Sequence, residues 1–131
     1  MKQVHVSAAI ILHEGKIFVT QRGYGEFKDW WEFPGGKIEA GESKEECLKR
    51  EIKEELDCRI SVDEFLMTVE YDYETFHLTM ECFLCSLLEG EHLKLLEAEA
   101  AKFVTEKELD SVPFLPADLL VLPKLKEYLS H

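Results

Sequence analysis

The segment GGKIEAGESKEECLKREIKEEL, residues 35–56, decides the fold of this chain, because it joins a glycine turn to the clearest helix in the sequence. Ser43 and Glu46 have the spacing of a capping box, which predicts that a helix begins at this point. Apolar residues then recur at every fourth position from Leu48 to Leu56, which gives the helix one buried face. The predicted helix therefore spans residues 43–56 and packs against the rest of the protein.

Three carboxylates of this helix, Glu51, Glu54 and Glu55, fall in one strip beside the apolar face. Like charges at such spacings destabilise a helix by about 0.2–0.5 kcal/mol per pair. From the helix alone, two interpretations stay open: a solvated acidic face, or a divalent-cation site, since Mg²⁺ prefers hard oxygen ligands. The pair Gly35-Gly36 before the helix favours the cation site, because glycine lets the backbone approach a ligand closely.

Residues 36–58 resemble the Nudix box, G-x5-E-x7-R-E-U-x-E-E-x-G-U, in which U is an aliphatic residue. The positions that match are Gly36, Glu42, Arg50, Glu51, Ile52, Glu54 and Glu55. Two positions depart from the pattern, with Asp57 in place of the last glycine and Cys58 in place of the last aliphatic residue. Asp tolerates the left-handed conformation better than most residues, and Cys behaves as a small hydrophobe. Neither departure touches a proposed metal ligand.

The resemblance extends to the MutT type of Nudix hydrolase through TQR at 20–22, WEFPGGK at 31–37 and PAD at 116–118. It implies one domain over residues 1–131, with an α/β fold of the α/β/α sandwich type and a mixed β-sheet. It also implies a pyrophosphohydrolase that uses Mg²⁺ or Mn²⁺ and converts (deoxy)nucleoside triphosphates, such as 8-oxo-dGTP, CTP or dCTP, to the monophosphate and pyrophosphate. The alternatives are a hydrolase of ADP-ribose or another nucleoside diphosphate derivative, and a non-catalytic module that senses a nucleotide.

The same resemblance assigns roles to the residues of the box. Glu51, Glu54 and Glu55 would bind the metal together with Gly36, and Glu51 or Glu55 could also act as the general base. Arg50 would serve catalysis by orienting a box carboxylate through a bidentate pair. The alternative for Arg50 is an ordinary salt bridge with Glu54 on the helix surface.

A second group of residues is expected to bind the substrate. Its members are Arg22, Phe33, Gly35, Lys37 and Asp118. Asp118 either contacts the base, where an ionised carboxylate can only accept hydrogen bonds, or is the N-cap of the last helix. Lys37 either contacts phosphate or is merely exposed. A further catalytic glutamate would fall near Glu97 or Glu99, whose alternative is a pair of solvated loop acids.

Outside the box, the sequence predicts a set of strands and a terminal helical segment. The strands are expected at 3–12, 16–21, 30–33, 65–73, 76–88 and 102–105. The helical segment at 116–129 contains Pro123, where we expect a break or kink. Strands around one strong helix, with a second helical segment at the end, favour a layered α/β domain.

Composition limits the partners of this 131-residue chain. Its net charge of −12 disfavours nucleic-acid polymers and anionic membranes, and a small phosphorylated nucleotide would need cations to bridge the like charges. No signal peptide or membrane-spanning segment is evident, so a cytoplasmic protein is expected, as a monomer or a homodimer. Cys82 and Cys85 lie three apart on a predicted strand, where they point to opposite faces, which favours buried thiols over a metal or redox pair.

Overall fold

The chain alternates strands and helices, and the structure, a computed structural model, describes residues 1–93 and 100–130. The strands are β1 (Lys2–His13), β2 (Lys16–Gln21), β3 (Trp31–Glu32), β4 (Gly35–Lys37), β5 (Ile60–Asp72), β6 (Phe76–Leu87) and β7 (Ala100–Val104). The helices are α1 (Lys44–Leu56), α2 (Pro116–Leu119) and α3 (Leu122–Leu129), and a 3₁₀ turn spans Glu106–Ser111.

The sheet is mixed, with the strand order β3-β2-β1-β6-β5, while β4 pairs with β1 and β7 pairs with β2. β1 is central and runs parallel to β6, from Lys2 opposite Phe76 to Ile11 opposite Cys85. The other strand pairs are antiparallel. This arrangement confirms the predicted α/β fold with a mixed β-sheet.

Helices cover both faces of the sheet, which explains why β1 is apolar without interruption from Ala8 to Ile11. Ala9 and Ile11 face α1 and pack in one core with its apolar stripe. Ala8 and Ile10 face the other side, in a second core that contains residues of α2 and α3. A strand that is buried on both faces has no polar face, so its residues form one apolar run.

Helix α1 begins and ends as its sequence predicts. Ser43 is the N-cap and forms a reciprocal capping box with Glu46. The helix ends at Leu56, and Asp57 follows in the left-handed conformation with φ of 46°. Asp57 also accepts a hydrogen bond from the Lys53 ammonium at 2.8 Å. Asp57 therefore performs the helix-ending role of the glycine that the box has at this position.

Several elements differ from the sequence-based expectation, among them β4, since residues 35–37 form a short strand rather than a turn. β5 begins at Ile60 rather than at residue 65, because irregularities in its pairing between Val62 and Glu64, and again after Phe65, interrupt the alternation. The break in the terminal segment lies between α2 and α3, and Pro123 occupies the first turn of α3, where a missing N–H costs nothing.

The cysteines are free thiols in this structure. Cys82 and Cys85 are buried in the two different cores, on opposite faces of β6, as their spacing predicts. Burial raises the pKa of the Cys85 thiol to about 12, so it stays protonated at neutral pH. Among residues 1–93 and 100–130, no helix is both long and apolar enough to cross a membrane.

Candidate active site

One cavity of about 790 Å³ brings together most of the residues that the sequence singles out. α1 contributes Glu51 and Glu55, and α2 contributes Asp118. The segment 33–37 lines the cavity wall between these two groups. The apolar floor consists of alternate residues of the two parallel central strands, namely Val4, Val6 and Ala8 of β1 with Leu78 and Met80 of β6. A patch of carboxylates and a buried polar group thus share one apolar cleft, as in many ligand sites.

The glycines of β4 let this strand and α1 approach each other closely. Gly35 pairs with Ala8, and a Cβ atom there would clash with the backbone carbonyl of Ser7. A Cβ atom on Gly36 would instead overlap the carboxyl group of Glu51. Gly35 is therefore needed for backbone packing, whereas Gly36 leaves room for a carboxylate directly over the strand.

Arg50 connects the acidic groups of the box. Its Nε and Nη2 donate to the two carboxylate oxygens of Glu42 at 2.6 and 3.0 Å, which is a bidentate pair. Its Nη1 lies 2.8 Å from Glu51 and 3.3 Å from Glu54. The hydrogen bond from Arg50 lowers the pKa of Glu42 to about 2, and the same bond raises the pKa of Arg50. Both alternatives for Arg50, orientation of a box carboxylate and a salt bridge with Glu54, therefore occur together.

The box carboxylates differ in their relation to the cavity. Glu51 and Glu55 line it, whereas Glu54 and Arg50 do not, and the Glu54 side chain is 54% exposed. Within the described part of the chain, no three carboxylate, imidazole or thiol groups already surround a common metal position. The donor chemistry nevertheless fits a divalent cation, because three carboxylates from adjacent turns of α1 are hard oxygen ligands. Arg50 neutralises two of them in this structure.

Asp118 is an acidic group buried in the cavity wall, with only 4% of its surface exposed. Its Oδ2 accepts a hydrogen bond from the backbone N–H of Phe33 at 3.0 Å. Burial raises the pKa of Asp118 to about 8, and the nearby Glu32 carboxylate acts in the same direction. The N-cap alternative for Asp118 is wrong: it lies inside α2, whose N-cap is Leu115, and α3 has Val121 at its N-cap.

Glu32 and Tyr73 are among the cavity residues that the sequence analysis did not single out. Glu32 accepts two hydrogen bonds from Arg22, at 2.7 and 3.0 Å, and so holds its guanidinium beside the cavity. Tyr73 accepts a hydrogen bond from the backbone N–H of Ala117 at 3.1 Å. The only local signal for Glu32 was its place between two aromatic residues of a short strand. No local signal marks Tyr73, because its partner lies 44 positions away.

The remaining substrate-binding candidates also line the cavity. Phe33 is buried and stacks on Phe114 with ring centroids 5.0 Å apart, so it serves core packing as well. Lys37 lines the cavity with an exposed side chain, and its backbone carbonyl accepts a hydrogen bond from Arg50. Glu97 and Glu99 lie outside the described residues.

Comparison with known proteins places this geometry in a family. The NUDIX domain profile matches residues 1–126. The chain is 34% identical to the 8-oxo-dGTP diphosphatase of Haemophilus influenzae over 126 residues, which are 95% of this chain and 92% of that protein. It is 32% identical to the CTP pyrophosphohydrolase of Escherichia coli over 123 residues, or 93% of this chain and 90% of that protein.

Among solved structures, the solution structure of the E. coli ORF135 protein matches with a TM-score of 0.83 and 30% identity. The match covers 97% of this chain and 91% of that chain. Because the sequence and structural matches extend over nearly the whole chain and include the box on α1, the chain belongs to the Nudix family and is a hydrolase of nucleotide pyrophosphate bonds.

Proposed function

We propose that this protein is a metal-dependent nucleoside triphosphate pyrophosphohydrolase, which releases a nucleoside monophosphate and pyrophosphate. The observation that carries the proposal is the single cavity that contains both the box carboxylates Glu51 and Glu55 and the buried Asp118. The cavity thus offers an acidic part for metal and phosphate and a polar group for a base. The two relatives described above, named for 8-oxo-dGTP and for CTP, support the same substrate class.

Glu51, Glu54 and Glu55 would hold Mg²⁺ or Mn²⁺, together with the backbone carbonyl of Gly36. A bound divalent ion at such a site neutralises phosphate charge and lowers the pKa of a bound water. Gly36 contributes by its missing side chain, which leaves the Glu51 carboxyl in place over β4. Arg50 keeps Glu51 and Glu54 oriented by charge-assisted hydrogen bonds, which are stronger than neutral ones.

The phosphates would lie along β4, beside Glu51 and Glu55 of α1. Lys37 supplies a cation at the edge of the cavity, and the glycine backbone beside it can approach a phosphate closely. Positive charge is needed there because the chain carries a net charge of −12, which repels a polyphosphate. One lysine is too little for a triphosphate, so the metal ions would provide the rest.

The base would lie against Asp118 and the apolar floor. A carboxyl group with a pKa of about 8 is mostly protonated at neutral pH, so it both donates and accepts hydrogen bonds. Cytosine and guanine each present a donor and an acceptor side by side on the pairing edge. A neutral Asp118 therefore suits both a cytidine triphosphate and an oxidised guanosine triphosphate.

A hydrolysis screen with Mg²⁺, in which the nucleoside monophosphate and the pyrophosphate are each measured after chromatographic separation, tests this function. The substrates are CTP, dCTP, dGTP, 8-oxo-dGTP and ADP-ribose. Glu55→Gln, which removes a cavity carboxylate, should lower turnover at least about tenfold. Glu45→Gln is the matched control, because Glu45 is an exposed glutamate of the same helix that does not line the cavity.

Three results would contradict the proposal. Hydrolysis of ADP-ribose alone would identify the diphosphate-derivative alternative. Tight nucleotide binding without hydrolysis, with either Mg²⁺ or Mn²⁺, would identify a sensing module. Equal loss of turnover in Glu55→Gln and Glu45→Gln would show that turnover depends on the total charge of α1 and not on a carboxylate in the cavity.

A further inference from the structure

Helix α2 has an unusual support at its N-terminus. It has only four residues, and its N-cap, Leu115, makes no side-chain hydrogen bond to the helix. The first N–H groups of a helix have no partner within the helix and need one elsewhere. Ala117, which is fully buried, donates its N–H to the hydroxyl of Tyr73 at 3.1 Å. The Tyr73 hydroxyl, which belongs to the β5–β6 hairpin, thus replaces the side-chain hydrogen bond of a local N-cap.

Tyr73 is held firmly enough to serve this purpose. Its backbone N–H donates to the carbonyl of Phe76 at 2.9 Å, which closes the hairpin. Its ring is 9% exposed and contacts three other rings, with centroids 5.2 Å from Phe27, 4.8 Å from Tyr71 and 4.9 Å from Phe76. Burial raises the pKa of the hydroxyl to about 12, so it remains a neutral acceptor at ordinary pH.

The residue that follows Ala117 is Asp118, whose carboxyl group accepts the N–H of Phe33. Two adjacent residues of α2 are therefore attached to the cavity wall, one through Tyr73 and the other through Phe33. Without the Tyr73 hydroxyl, the N–H of Ala117 would be buried without a partner, which is unfavourable enough to shift a helix this short. A shift of α2 would move Asp118, because the carboxyl group is one residue away.

We infer that Tyr73 is a positioning residue for base selection, which holds the start of α2 through Ala117 and thereby sets the place of Asp118 in the cavity. The inference rests on the proposed function, in which Asp118 contacts the base. Tyr73 also lines the cavity itself, so its ring forms part of the surface that a base would meet.

The test compares Tyr73→Phe with Tyr71→Phe. The first variant keeps the ring and removes only the hydroxyl that Ala117 needs. The second removes a hydroxyl from the neighbouring ring of the same cluster, which does not line the cavity. For each variant, kcat and KM are measured with CTP and with 8-oxo-dGTP, and amide hydrogen exchange is measured at Ala117 without substrate.

We expect Tyr73→Phe to expose the Ala117 amide to exchange and to change the ratio of kcat/KM between the two nucleotides by about 3- to 10-fold, the effect of one lost hydrogen bond. The change should lie in KM, with kcat for the better substrate retained. Tyr71→Phe should leave both measurements as in the wild type. In the Asp118→Ala background, Tyr73→Phe should no longer alter the ratio, because it acts through Asp118.

An unchanged nucleotide ratio in Tyr73→Phe would overturn the inference, as would an equal change in Tyr71→Phe. Rapid exchange of the Ala117 amide in the wild-type protein would overturn it without any variant, even if Tyr73→Phe does not fold. These results are distinct from failure of the proposed function. That failure would appear as a wild-type protein that hydrolyses neither nucleotide, while the exchange measurement still reports on the Tyr73–Ala117 bond.

Discussion

The difference in unfolding free energy between the Asp118→Asn variant and wild type should increase with pH, in favour of the variant. In the folded protein the pKa of Asp118 is about 8, against an ordinary value of 3.8, because burial disfavours the charged form. Between these two values the folded state holds one proton more than the unfolded state, so wild-type stability falls as pH rises. Below the ordinary value both states are protonated, and above about pH 8 both are ionised.

The size of the effect follows from this count of one proton. One proton corresponds to about 1.4 kcal/mol of unfolding free energy per pH unit, or about 2–3 kcal/mol between pH 5 and pH 7. Asparagine cannot ionise, and its carbonyl oxygen can still accept the N–H of Phe33. The difference in unfolding free energy between Asp118→Asn and wild type should therefore grow by this amount over that range, in favour of the variant.

Urea unfolding at several pH values, followed by the fluorescence of Trp30 and Trp31, measures this difference. Titrating groups that do not interact with Asp118 contribute equally to both proteins and cancel. Glu45→Gln is the control, because Glu45 is an exposed carboxylate of α1 outside the cavity, and its difference from wild type should not follow the trend expected for Asp118→Asn. A constant difference between Asp118→Asn and wild type would refute the reasoning, since Asp118 would then be ionised throughout.

Four further predictions concern the box and the glycine that precedes it. Gly36→Ala should lower turnover at least about tenfold with little loss of stability, because its Cβ displaces only the carboxyl end of the Glu51 side chain and no backbone. Gly35→Ala should instead lower the unfolding free energy by about 1–3 kcal/mol in urea unfolding, because its Cβ meets backbone. The Glu42–Arg50 pair should stabilise the fold above pH 4.5 and lose its effect as pH falls through about 2, so acid unfolding of Glu42→Gln and wild type should converge there. Excess chelator should abolish turnover and added Mg²⁺ should restore it, whereas full activity in chelator would remove the metal from the mechanism.

The parts of the fold that could be predicted are those with local signals. α1 has a capping box at Ser43, apolar residues at every fourth position and an αL residue at Asp57, and each of these lies within one or two turns of the others. The start of β5 could not be predicted, because its irregular pairing with β6 offsets the alternation on which a strand prediction depends. Such irregularities depend on how β5 pairs with β6, and the residues of β5 alone do not specify that pairing.

The same distinction applies to the candidate site. The sequence was sufficient to predict that Glu51, Glu54 and Glu55 lie in one strip of a helix, because helical geometry is regular. The pairing of Arg22 with Glu32 depends on the register of β2 against β3, which sets Thr20 opposite Glu32. The bond between Tyr73 and Ala117 depends on how the β5–β6 hairpin meets α2. Both contacts are products of tertiary packing, so they become visible only in the folded chain.

The parallel pairing of β1 with β6 has a consequence for the nascent chain. Lys2 pairs with Phe76, so β1 is synthesised 74 residues before its central partner β6. At a synthesis rate of roughly 5–20 residues per second, that delay is about 4–15 s. During this time the apolar run from Ala8 to Ile11 is not paired with β6. Apolar strands with an unpaired edge are prone to aggregate. Synthesis of β1 before β6 therefore does not let the sheet form early. A chaperone that shields β1 during translation would raise the yield of folded protein.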